Sequence, residues 1–204
     1  MVTGEGLSLW KPFLRADANG RAANARLAAS DAFQKPIRHD AMRADDFHAL
    51  LLPGGHAPAM RTYIESAPLH QTVSSFFSAG KPVAAICHGV LVVARSKDDK
   101  TGHSVLRGKK TTALTSWMEL SAWALTGLWL GRYYRTYEET VEAEVKGLLA
   151  SPSDFQRGPY STARDAPGKL APGFSVLDGN YLSARWPGDA HRFASEFAAL
   201  LQRT

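Results

Sequence analysis

The sequence predicts an α/β fold: a three-layer sandwich with helices on both faces of a mainly parallel sheet. Three observations predict it. Short apolar runs at 49–52 and 83–86 each run into a glycine-bearing turn, helical periodicity fills the segments after them, and an amphipathic stretch at 189–202 closes the chain. Short strands alternating with helical patterns need crossover connections, and crossovers give parallel pairing. With 204 residues, 45% hydrophobic and 21% charged, the chain has an ordinary globular balance and is expected to form one domain over 1–204.

The first 47 residues are the least regular. Gly4, Gly6, Pro12, Gly20 and Pro36 punctuate them, one helix is expected from about Gly20 to Ala29, and no strand stands out. Ala49–Leu52 reads as a short buried strand entering Pro53-Gly54-Gly55, where glycine permits positive φ and close backbone approach. Pro68 at a first turn, apolar Leu69, Val73, Phe76 and Phe77, and Gly80 as a stop predict a helix over 68–79. Val83–Ile86 is the next strand, followed by Cys87-His88-Gly89 and a helix over Val90–Arg95. Lys109–Leu114, with Thr111 and Thr112, is expected as a third strand leading to a tryptophan-rich helix at Trp117–Leu130.

Val141, Val145, Leu148 and Leu149 have helical spacing within Glu138–Ala150, and Ser151–Pro172, rich in proline, glycine and serine, reads as one long surface loop. Phe174–Leu177 and Tyr181–Ala184 flank Asp178-Gly179-Asn180, a short turn signal. Phe193, Phe197, Leu200 and Leu201 then stripe one face of a helix over Asp189–Gln202. The segment Tyr134–Tyr137 with Glu138, Glu139 and Glu142 reads as a helix start with a solvated acidic face. Trp117, Trp123, Trp129, Tyr133, Tyr134 and Tyr137 are expected mainly in the core, with a pocket mouth or a dimer contact as the other roles open to them.

Charge and composition exclude several classes. Twenty-four basic against 19 acidic residues give a net charge of +5, which is mild. The small clusters Arg107, Lys109, Lys110 and Arg15, Arg21, Arg26 lack interleaved aromatics, so no nucleic-acid partner is expected. Trp117–Leu130 is shorter than the roughly 20 residues a membrane span needs and carries Glu119 inside it, so no membrane partner is expected either. One cysteine, Cys87, cannot form an intramolecular disulfide, and no charged-then-apolar leader opens the sequence; both favour a cytoplasmic location. His39, His48, His70, His103 and His191 have no ligand spacing, so neither a metal site nor a cofactor is expected.

The informative stretch is Lys81–Val90, a buried strand delivering Cys87 at a sharp turn into a helix. A nucleophile at such an elbow sits at the carboxyl edge of the sheet, and the helix start beyond it supplies amide donors and positive potential. That potential is expected to hold the thiol below its free pKa of about 8.5. Leu50–His56 is also a strand end followed by glycines. If the two strands are neighbours, the amides of Gly55 and His88 converge on one oxygen and form an oxyanion hole, with Gly54 and His56 as pocket wall.

Pro53-Gly54-Gly55-His56 followed by Ala84-Ala85-Ile86-Cys87-His88-Gly89 resembles the ThiJ/PfpI family, within the class I glutamine-amidotransferase-like superfamily. The likeness is specific from about Asp45 to Arg95 and looser through Asp178–Ala184. It implies a flavodoxin-like fold, Cys87 as nucleophile with His88 beside it, and the amides of Gly55 and His88 as the oxyanion site. It leaves a homodimer open.

Departures from that pattern matter too. The family's first strand-helix-strand unit, whose turn carries a glutamate bonded to the cysteine, has no match here, and Glu5 is no substitute. The chain is therefore expected to be an N-terminally shortened member, its Leu50–Leu52 strand left as an apolar edge. Ala57 and Pro58 follow His56 where a further glycine is usual. The absence of a late His-x-Glu pair makes glutamine hydrolysis an unsuitable reading. Two functions remain. In one, a thiol enzyme without metal, a hydrolase or lyase of glyoxalase- or deglycase-like type, acts on a small electrophilic carbonyl compound. In the other, a non-catalytic member serves as a redox sensor or chaperone-like protein.

Overall fold

The computed structural model describes residues 16–203, so Glu5 lies outside the described residues. They divide into two compact units, one up to Ala41 and one from Met42 onward, each taken here by itself. In the first, helix α1 (Ala18–Ala28) is N-capped by Asp17, whose Oδ1 accepts the Gly20 amide at 2.7 Å. That cap moves the start two residues ahead of Gly20. A single turn, α2 (Asp31–Gln34), follows. As expected, there is no strand among residues 16–47.

The second unit carries a four-stranded sheet of order β1-β2-β4-β3, made by β1 (Leu50–Leu52), β2 (Val83–Ile86), β3 (Ser175–Asp178) and β4 (Tyr181–Ala184). β1 pairs with β2 and β2 with β4 in parallel, while β3 and β4 form an antiparallel hairpin through Gly179, whose φ of +60° suits glycine. The fold is α/β with a mainly parallel sheet, as the sequence predicts. Its helices are α3 (Met60–Ile64), α4 (Ala67–Ser78), α5 (Gly89–Arg95), α6 (Ser116–Leu130), α7 (Val141–Leu148) and α8 (Ala190–Leu201).

The two-residue period of the strands sorts side chains between two cores. Val83 and Ala85 join Leu52, Leu69, Val73, Phe76, Leu91 and Val145 on one face. Ala84, Leu182 and Ala184 pack against Phe193, Phe197 and Leu200 of α8 on the other. Among the described residues β1 is the end strand of the sheet, with Leu51 exposed and Leu52 buried.

Three local expectations are corrected. Lys109–Leu114 is not a strand. Thr111 makes only an isolated bridge to Phe155, and the pair Thr111 and Thr112 ties to the sheet through hydroxyls: Thr111 Oγ1 lies 3.1 Å from Tyr181 Oη and 3.2 Å from Ser183 Oγ, which accepts the Thr112 amide at 3.0 Å. Side-chain bonds thus take the place of a ladder. Glu142 is not on a solvated face. It is buried, accepting from Lys146 Nζ at 2.6 Å, the Ser116 amide at 2.9 Å and Arg157. Burial pushes its pKa up, but these donors prevail and hold it at about 2. The aromatics of α6 are not mainly core either. Trp123 and Trp129 are exposed with Leu125 and Leu128, because a helix apolar on every side cannot bury every side, and the inward face carries Met118, Glu119 and Thr126. The 151–172 loop does lack strands and α-helices, though Phe155 and Asp165 anchor it by burial.

At the end of β4, Arg185 and Asp189 form a fully buried ion pair. Arg185 Nε donates to Oδ2 at 2.9 Å and Nη2 to Oδ1 at 2.8 Å, and Asp189 also accepts the Phe174 amide at 2.9 Å. Removing one member leaves a buried charge without its partner. We predict that Asp189→Ala costs about 3–5 kcal/mol in urea unfolding; a loss under about 1 kcal/mol would show that water relieves Arg185.

Candidate active site

The β2–α5 turn is forced into a sharp elbow. Cys87 has φ +59°, the left-handed region, and is the only non-glycine residue there among the described residues. A residue so placed is held by its surroundings. The Cys87 amide donates to Ala184 O at 3.0 Å, its carbonyl accepts the Val90 amide at 3.2 Å, and the loop after β1 lies directly against it. A Cβ on Gly54 would stand 2.6 Å from Cys87 Cβ and 2.8 Å from the His88 amide nitrogen, and one on Gly89 would stand 2.2 Å from Leu52 O. Only glycine at 54 and 89 permits this approach.

The sequence-predicted residues come together around this elbow. Cys87 Sγ lies 3.5 Å from His88 Nδ1; Cys87 is 5% exposed and His88 wholly buried. The His56 ring stands edge-on to His88 with centroids 4.5 Å apart and meets Tyr134 at 4.7 Å and Tyr133 at 6.5 Å. Gly55 lies under Met60, 3.3 Å from its sulfur to where a Cβ would stand. Linear spacing revealed no metal-ligand set, yet folding gathers Sγ of Cys87 and one ring nitrogen each of His56 and His88 within 4.8 Å of one another. The other histidines enter no such cluster among the described residues.

Electrostatics here reverse the expectation of a depressed thiol pKa. Burial pushes the Cys87 thiol up to about 12, and the negative charge of Glu119 adds to the rise; a hydrogen bond from the His88 backbone opposes both and is too weak to win. The same desolvation pulls His88 down to about 3 and His56 to about 4. At neutral pH the pair is therefore a thiol beside a neutral imidazole.

Glu119 is the residue the sequence reading passed over. It is buried on α6, accepts the Val141 amide at 3.0 Å and faces Arg135 at 3.8 Å; burial raises its pKa against both contacts. The signal was present, since a carboxylate inside an otherwise apolar run rarely sits there unpartnered.

Residues 6–159 match the model of the ThiJ/PfpI family-like group. The chain belongs to the ThiJ/PfpI family. It is 28% identical over 166 residues to a deglycase of Thermococcus kodakarensis and to the deglycase PfpI of Pyrococcus furiosus, each alignment covering 81% of this chain and 69% of the relative. Its fold is similar to that of a glyoxalase III from Candida albicans, with TM-score 0.65, 20% identity, and 96% and 74% of the two chains covered. No helix among the described residues is long and apolar enough to cross a membrane.

Two pH effects follow from these shifts. We predict that iodoacetamide alkylation of Cys87 keeps rising above pH 9, with no midpoint at or below the free-thiol value of about 8.5; a midpoint near 7 would mean that the helix start outweighs desolvation. His56 and His88 titrate below their ordinary 6.5, so protonation favours the unfolded chain. Their contribution to stability is full above pH 6.5 and shrinks as pH falls toward 4 and 3. Urea midpoints should drop between pH 6.5 and 4.5, and His88→Gln should flatten that slope; an unchanged slope would place the acid sensitivity elsewhere.

Proposed function

We propose that this ThiJ/PfpI member is a cysteine-dependent enzyme acting on a small electrophilic carbonyl compound, an α-oxoaldehyde being the simplest, without a metal or other cofactor. The observation that carries this is Cys87 at a left-handed elbow with its sulfur 3.5 Å from His88 Nδ1. The deglycase and glyoxalase names of its relatives support the same class.

The resting thiol is protonated, so attack and proton transfer belong to one event. As Sγ approaches the carbonyl carbon, neutral His88, which burial makes a weak base, takes the thiol proton only in passing and returns it to the carbonyl oxygen. The carbonyl oxygen becomes an alkoxide, and the amides of Gly55 and His88 are proposed to receive it. Reprotonation gives a hemithioacetal. For an α-oxoaldehyde, moving the C1 proton to C2 converts this adduct to a thioester of a 2-hydroxy acid, which water cleaves to restore the thiol. Glu119 discourages a standing thiolate by its charge, which keeps Cys87 unreactive until a carbonyl is in place.

The redox-sensor alternative asks for an exposed thiol with a low pKa. The raised pKa of Cys87 gives no standing thiolate for oxidation, whereas the proposed attack starts from the protonated thiol, which favours the enzyme.

Incubation with methylglyoxal should yield lactate, with Cys87→Ser inactive and His88→Ala slower by about 10²–10⁴-fold. Because His88 stays neutral down to about pH 3, the rate should show no inflection near 6.5. Lactate formation by Cys87→Ser equal to the parent would sink the proposal.

A further inference from the structure

We propose that His56, Cys87 and His88 form a three-ligand site for a divalent cation of intermediate softness, Zn²⁺ being the type, and that its occupancy caps the nucleophile. The three donors come from two loops that the parallel pairing of β1 and β2 brings together, and all lie within 4.8 Å of one another.

Donor chemistry suits such an ion. One thiolate and two imidazoles are preferred Zn²⁺ ligands, and three protein donors leave one position for water or a small molecule. Geometry comes close. With Zn–S of about 2.3 Å and Zn–N of about 2.0–2.1 Å, a tetrahedral site needs donor separations of roughly 3.3–3.6 Å. The 3.5 Å between Sγ and His88 Nδ1 already has that length. The widest separation must close by about 1 Å, within reach of rotating the His56 ring about its side-chain torsions.

A second observation is independent of the cluster distances. His56 Nδ1 and His88 Nε2 are both buried without a hydrogen-bond partner among the described residues, and the His88 residue is fully buried. Buried polar nitrogens are normally satisfied. His88 meets the sulfur through Nδ1, so its open Nε2 is the N–H side of that ring, and the buried nitrogen that the protein leaves for an ion to complete is His56 Nδ1. On binding, the Zn–S bond forms as the thiol proton leaves to solvent, with no change of oxidation state. The sulfur lone pair that would attack a carbonyl is then committed to the ion, so the metal-bound form is a closed state of the enzyme proposed above. Metal binding itself does not depend on that activity.

Cobalt(II) replaces Zn²⁺ as the visible probe. Adding it to the metal-free full chain should give one equivalent of a tetrahedral spectrum with a sulfur-to-cobalt charge-transfer band, displaced by Zn²⁺ and absent in Cys87→Ser. One equivalent of Zn²⁺ should slow iodoacetamide alkylation of the unsubstituted protein by about tenfold or more, and a chelator should restore it. His56→Asn should weaken Zn²⁺ binding by about tenfold or more. Surface histidines binding the ion would give no sulfur band and leave alkylation unchanged, and either result overturns the proposal. So does His56→Asn binding Zn²⁺ as tightly as the parent. Alkylation of the unsubstituted chain decides the matter even if a variant fails to fold, and a failure there leaves the lactate assay untouched.

Discussion

Two loops leave the parallel strands β1 and β2 at the same edge of the sheet, and they pack as closely as they do because glycine stands at 54 and at 89. A side chain at either position would press into backbone: Leu52 O for residue 89, Ile86 O and the His88 amide for residue 54. This contact is the constraint on which the site depends. It lays the β1 loop over the elbow, closes Cys87 and His88 off from water, and leaves His56 as the group that reaches the sulfur from the opposite loop. The left-handed φ of Cys87 belongs to the same arrangement, since its conformational cost is met only where neighbouring structure fixes it.

Closure sets the chemistry. In a water-excluded pocket the neutral forms win, so the thiol rises and both imidazoles fall. A helix start is usually invoked to favour thiolate, but α5 has only seven residues, and partial charges at its end do not offset burial of the sulfur. In the reaction proposed above, the amides at that end would act on charge that develops at the carbonyl oxygen, where a fixed donor needs no reorganisation. Glu119 pushes the same way as burial, so the elbow holds Cys87 as a protonated thiol.

Much of this was legible in the sequence. Ala49–Leu52 and Val83–Ile86 announced their strands through short apolar runs with glycine after them, and the Phe193, Phe197, Leu200 stripe announced α8. The elbow could be placed because Cys87-His88-Gly89 stands where a strand must become a helix. What could not be read was burial. Lys109–Leu114 has strand composition, but Thr111 and Thr112 spend their hydroxyls on Tyr181 and Ser183, a long-range choice no local pattern encodes. Glu142 looked solvated because Arg157, one of its donors, lies in a distant loop. The tryptophans of α6 looked like core because hydrophobicity says how much wants burying, while topology decides how much can be. The thiol pKa went wrong for the same reason, since a local dipole is visible in sequence and desolvation is not.

The elbow is also tied to the far side of the sheet. Cys87 donates its amide to Ala184 O, the last residue of β4, and Arg185 follows at once. Arg185 is clamped by Asp189, which also takes the Phe174 amide just ahead of β3, and Arg185 Nη1 donates to Pro159 O in the long loop. A chain of contacts therefore runs from the 151–172 loop through a buried ion pair to the backbone of Cys87. A buried pair contributes little net stability compared with apolar packing of equal volume. Here it fixes the end of β4, and with it the carbonyl that holds the Cys87 backbone. A shift of that carbonyl would be passed to the sulfur that stands 3.5 Å from His88 Nδ1. The position of Ala184 is therefore as much a part of the site as the side chains that face the sulfur, and in the reaction proposed above a displacement there would cost rate.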